Sequence, residues 1–170
     1  MTNPAPDCPE NYRSITLNQS SLLNANLSVG LGDATFSFKT PADKTPSLKV
    51  CFGLATNVVL PDGIYAISPT YDIKVIPLDS RGAGLADLIT PTLTVKFTFS
   101  GVPAGVNFDP AKANVSAYYD DRGTLLTALP APNRTSSLSP NPSPGDPRLS
   151  SGEFAFAITE ANKYIVGVKP

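Results

Sequence analysis

Two cysteines, a Tyr-Tyr-Asp-Asp run and a few tyrosines are the residues of this chain whose types could do chemistry. Cys8 and Cys51 are the only cysteines among 170 residues. An even pair in a chain rich in Ser, Thr, Pro and Asn predicts a disulfide that ties an N-terminal arm to a strand. Closing a loop of that length is worth ~4 kcal/mol if the effect is chain entropy. The plainer alternative is a pair of buried free thiols.

Tyr118, Tyr119, Asp120 and Asp121 are contiguous. Paired carboxylates do acid–base work or hold a cation. Neighbours in a strand point to opposite faces, so this pair converges only if a turn bends it. An Asp-Asp-x-Gly stretch is commonly just a hairpin turn, and no Asp-x-Asp-x-Asp calcium spacing is present. The four residues therefore stand as a candidate ligand or partner contact, with no catalytic role and no metal site. Tyr65 and Tyr71 would join Tyr118 and Tyr119 in a sugar-stacking surface if all four rings were exposed together. The alternative is that each ring packs in a strand with its hydroxyl at water. The absence of Trp counts against a sugar platform.

Composition removes most other chemistry. There is no histidine, so Ser-His-Asp triads, Cys-His pairs and His-ligated zinc are excluded. Two cysteines cannot make a four-Cys zinc or iron–sulfur site. Thirteen basic residues balance fourteen acidic ones at a net charge of −1, dispersed along the chain. No nucleic-acid footprint follows from that pattern. No apolar run approaches the ~18 residues of a membrane span. Met1–Pro6 is polar and lacks the apolar core of a signal peptide. Either the protein is cytosolic or a leader has been removed. The cysteine pair and the low charge favour a secreted, cell-surface or periplasmic protein. Four Asn-x-Ser/Thr sequons, at Asn18, Asn26, Asn114 and Asn133, carry little weight in so Asn-rich a chain.

The elements that must position these residues are strands. Leu93, Val95, Phe97 and Phe99 alternate with Thr92, Thr94, Lys96 and Thr98, the period of a half-buried antiparallel strand. The same period appears at Phe36 and Phe38, at Leu48–Phe52, at Tyr71–Val75, at Phe154–Ile158 and at Tyr164–Val168. Weaker strands are predicted at 13–18, 23–29, 56–60, 63–67, 113–119 and 124–129. Gly30–Asp33, Pro61-Asp62-Gly63 and Asp120–Gly123 read as turns, the latter two as tight hairpins. One helical turn is predicted within 80–90. Residues 130–150 hold six prolines and are predicted to form a long loop, partly polyproline II. About ten short strands with frequent turns predict an all-β antiparallel sandwich, immunoglobulin-like and of Greek-key type. The arm is 1–12 and a single domain spans 13–170.

Residues 91–168 resemble the β-sandwich modules of bacterial surface proteins and ZU5-like domains. The resemblance rests on Pro91–Phe97, Val115–Gly123 with its two tyrosines and acidic Gly hairpin, Phe154–Ile158 and Lys163–Val168. It implies a β-sandwich at a cell surface. Some ZU5-like members cleave themselves at a His-Phe-Ser. The corresponding stretch here is Glu160-Ala161-Asn162, so the resemblance implies no autoproteolysis.

The expected function is a non-catalytic extracellular or cell-envelope module that acts through protein contacts. Its expected partners are other surface proteins or its own copies, with no cofactor, no nucleic acid and no membrane span. The alternative is a module that binds carbohydrate or another small ligand.

Overall fold

The computed structural model describes residues 7–18, 23–56, 59–79, 82–103, 105–106, 114–121, 125–128, 134–139 and 151–170. Twelve strands lie among them. The first six are β1 (Arg13–Leu17), β2 (Asn26–Leu31), β3 (Ala34–Lys39), β4 (Leu48–Ala55), β5 (Tyr65–Ala66) and β6 (Thr70–Pro77). The rest are β7 (Ile89–Thr98), β8 (Asn114–Asp121), β9 (Leu125–Ala128), β10 (Arg134–Ser139), β11 (Ser151–Ala157) and β12 (Lys163–Lys169). One sheet has seven strands in the order β1-β4-β6-β12-β8-β9, with β5 beside β12. The other has five, in the order β10-β11-β7-β3-β2. The pairings are antiparallel. The fold is an all-β sandwich.

Alternation fixes which side chains enter it. Phe36, Phe38, Leu93, Val95, Phe97, Phe154 and Phe156 face inward from the five-stranded sheet. Leu48, Val50, Phe52, Tyr71, Ile73, Tyr164, Val166 and Val168 meet them from the other. Ring contacts tie the layers, with Phe36 and Phe52 at 6.3 Å and Phe156 and Tyr164 at 5.9 Å between centroids. Such tilted ring pairs add to the area they bury.

Several expected elements changed. The turn at 30–33 narrows to Gly32-Asp33, because Leu31 and Ala34 are cross-strand partners and Gly32 takes a φ of +60°. That left-handed backbone is what glycine permits in a two-residue hairpin. The strand expected at 23–29 begins only at Asn26, behind Asn24 with a φ of +54°. Pro61-Asp62-Gly63 does turn, with the Ile64 N–H donating to the Pro61 carbonyl at 3.2 Å. It does not close a hairpin. Val59 and Leu60 are not strand, and 63–67 contributes only β5. Leu60 and Ile64 lie over a sheet face instead of pairing at its edge. The helical turn expected in 80–90 is a 3-10 turn at Leu85–Asp87, with Leu85 and Leu88 in the core.

The stretch 130–150 is not all loop. Arg134–Ser139 contains no proline and pairs with β11 as an edge strand. Proline excludes a ladder position only where it stands, and this window is free of it. The prolines at 130, 132, 140, 142, 144 and 147 lie outside the described residues.

Candidate binding surfaces

The outward face of the seven-stranded sheet is covered at two places. Lys49, Cys51 and Gly53 are successive outward positions of β4, and the arm meets each of them. Lys49 Nζ pairs with Asp7 Oδ1 at 2.8 Å. Cys51 is bonded to Cys8, with Cα atoms 5.5 Å apart; the disulfide expected from sequence is present and buried at its Cys51 end. The Tyr12 ring lies on Gly53, where a Cβ would collide with it. The Tyr12 hydroxyl donates to Asp72 Oδ2 at 2.6 Å. Asp72 is 4% exposed and also lies 3.5 Å from Lys74 Nζ. Burial first, then the Asp72 carboxylate, pushes the Tyr12 phenol up to about 12. The hydrogen bond from Lys49, then that from the Cys8 N–H, holds the Asp7 carboxyl below its ordinary range.

The second cover is the segment 59–64. Leu60 and Ile64 pack on Tyr118 and Ile165. They fit because β12 carries Gly167 at this point. A Cβ there would stand 2.9 Å from Ile64 Cγ2 and 3.2 Å from Tyr118 Cε2.

Tyr118, Tyr119, Asp120 and Asp121 do not converge. Tyr118 is 6% exposed under the 59–64 cover. Tyr119 points the other way and packs on Tyr164 at 6.3 Å. Asp120 is half-buried, and its Oδ1 has no hydrogen-bond partner among the described residues. Asp121 pairs through its backbone with Leu125. Arg122 and Gly123 lie outside the described residues. Tyr71 is buried in the core and Tyr65 is half-buried at β5. The four rings therefore build no shared stacking platform. Glu160–Asn162 serves as a connector: its carbonyls accept from Tyr164 Oη at 2.5 Å and from the Ile73 N–H at 3.0 Å.

The outward face of the five-stranded sheet differs. Ser28, Ser37, Thr92 and Ala157 stand in one cross-strand row. Gly30, Thr35, Thr94 and Ala155 make the next. These side chains are short, half-buried or exposed, and no described segment lies over them. Among the described side chains of β2, β3, β7 and β11, the charged ones on this face are Lys39, Lys96 and Glu153.

A cleft of about 730 Å³ opens where the two sheets part at one end. Leu54 and Tyr71 line it from the seven-stranded sheet, and Asp33, Lys96, Phe97 and Glu153 from the other. Lys96 and Glu153 face each other across β7 and β11, and Asp33 sits beside Lys96 in the turn between β2 and β3. The Lys96 N–H donates to the Asp33 carbonyl at 2.9 Å, and Glu153 is the cross-strand partner of Lys96. None of the three makes an ion pair among the described residues. Burial, and secondarily the Asp33 charge, raises the Tyr71 phenol to about 12. Sequence reasoning missed this grouping. Asp33 reads as a turn residue, and Lys96 and Glu153 as solvated strand positions until their register is known. Their one signal was being charged in strands otherwise faced with Thr, Ser and Ala.

Compared with protein-family models, curated proteins and solved structures, the chain matches none.

Proposed function

We propose that this chain is a non-catalytic module of an extracellular or envelope protein that works by protein contact. The open face of its five-stranded sheet is the contact surface. One observation carries the reading, the contrast between the two outward faces. On the seven-stranded sheet Cys51, Gly53, Asp72, Tyr118, Ile165 and Gly167 point outward and are buried under the chain's own segments. On the five-stranded sheet the outward rows of Ser, Thr and Ala stay uncovered by any described segment.

Such a face suits close approach by another flat surface. Ser, Thr and Ala have few rotamers to freeze, so ordering them costs little entropy. Their hydroxyls donate and accept, so they adapt to either kind of partner group. Lys96 beside Glu153 is self-complementary: a two-fold axis between them sets each charge of one copy against the opposite charge of the other. The Cys8–Cys51 disulfide supports an oxidising compartment. Partners are neighbouring surface proteins, own copies included.

The partner in hand is a second copy. Sedimentation across a wide concentration range should show reversible association. Hydrogen exchange should then slow at Thr92–Thr98 and at Ala155. Thr94→Arg, which places a long cation in the middle of the face, should abolish association with an unchanged melting temperature. A strict monomer throughout, or association indifferent to Thr94→Arg, defeats this choice of surface.

A further inference from the structure

Leu54 belongs by alternation to the inward series of β4, two residues beyond fully buried Phe52, yet it is 53% exposed. A core-facing leucine stays open because the sheets part here and no described side chain closes the end. Directly opposite it on β6 is Tyr71, only 2% exposed. Tyr71 lines the same cleft. Its hydroxyl can donate to, or accept from, a group bound in the cleft.

The rim narrows the chemistry of that group. Asp33 in the β2–β3 turn, Lys96 on β7 and Glu153 on β11 run acid, base, acid, each without an ion-pair partner among the described residues. A ligand of single charge meets one like charge beside each opposite one, and an anion meets two carboxylates. A neutral polyol suits all three, since its hydroxyls donate to the carboxylates and accept from the ammonium. Leu54 and Pro69 offer aliphatic surface for a C–H face. The volume lies within the about 300–1,000 Å³ of ordinary small-molecule clefts.

We propose that the cleft between Leu54 and Tyr71 on one sheet and Asp33, Lys96 and Glu153 on the other binds a neutral saccharide of one or two rings. The site uses hydrogen bonds and aliphatic contact in place of stacking, because Phe97 and Tyr71 show almost no ring face to solvent. It shares Lys96 and Glu153 with the protein-contact face but not Thr94, so Thr94→Arg tests the face and Tyr71→Phe tests the cleft.

The test is an amide chemical-shift titration of the whole chain. The probes are glucose, galactose, N-acetylglucosamine, cellobiose and maltose, with glycylglycine and inorganic phosphate in parallel arms. At least one saccharide should give saturable shifts centred on Asp33, Leu54, Tyr71, Lys96 and Gly152, and neither charged probe should. Tyr71→Phe keeps the ring and removes the hydroxyl, and should weaken affinity about 3- to 10-fold. Glu153→Gln, on the exposed rim, should weaken it comparably and cannot fail through misfolding of the core. Silence from every saccharide overturns the proposal. So does saturation elsewhere on the surface, preference for glycylglycine or phosphate, or binding unchanged in both variants.

Discussion

The ring of Tyr12 fills the space that a side chain at Gly53 would need. The glycine is the seat of the arm, and the tyrosine supplies the bulk its strand position lacks. Gly53→Ala must lift Tyr12 off β4 and lengthen its hydrogen bond to the buried Asp72. We expect a loss of about 1–3 kcal/mol in urea unfolding, the ordinary cost of overpacking. In Tyr12→Ala the added methyl meets no ring, so Gly53→Ala should cost clearly less in that background, a coupling that a double-mutant cycle reads directly.

Reduction should cost more than any single contact of the arm. The disulfide joins residues 43 apart, for which chain entropy gives ~4 kcal/mol. Cys8→Ala with Cys51→Ala should lower stability by about 2–4 kcal/mol and release the Asp7–Lys49 pair. Mass measured on alkylated, unreduced protein should show no modified thiol. Two alkylations under those conditions would contradict the bond.

The tyrosines set an alkaline limit. Tyr12 and Tyr71 are both raised from 10.0 to about 12, and Tyr164 is also raised, chiefly by burial. The folded state thus holds phenolic protons that the unfolded chain releases earlier. Their contribution is whole below pH 10 and is lost as pH rises toward about 12. Stability should therefore fall across that window. Tyr12→Phe and Tyr71→Phe should each make the fall shallower. Tyrosinate absorbance followed with unfolding by circular dichroism checks both.

Tyr118 and Tyr119 should behave as packing residues of unequal weight. Tyr118→Ala empties the space beneath Leu60 and Ile64 and should cost about 3 kcal/mol or more. Tyr119→Ala removes a partly buried ring from Tyr164 and should cost about 1–2 kcal/mol. Thermal melts rank the two. Equal, near-zero costs would mean that both rings are free at the surface.

On the far side of the same face, Gly167→Ala should strip the 59–64 cover, since Ile64 and Tyr118 must both give way. We expect about 1–3 kcal/mol of destabilisation, with faster hydrogen exchange confined to Ile64–Ile67. Exchange spread over the whole sheet would point to a global rather than a local effect.

The strands were legible because inward and outward positions differ in type. Thr92–Phe99 shows its burial in its own letters, and the structure buries Leu93, Val95, Phe97 and Phe99 as that pattern requires. The turns at Gly32 and Gly63 were legible because glycine there meets a positive φ. Val59-Leu60 was misread, since an apolar run looks the same whether it pairs at an edge or lies across a face. The strand at Arg134–Ser139 was hidden by prolines on either side of it.

By itself the sequence determined the class of fold and which two cysteines could pair. Both depend on local period and on counting, and two cysteines allow one intramolecular bond. Only the tertiary structure decided which outward face is covered and which charges share a cleft. Gly53 and Gly167 look alike in sequence as weak strand residues. What makes each a seat for a ring or a loop is the segment folded over it. Asp33, Lys96 and Glu153 are far apart in the chain and become neighbours only through the register of β3, β7 and β11. Register is set by the whole core packing at once, and no local stretch of residues carries it.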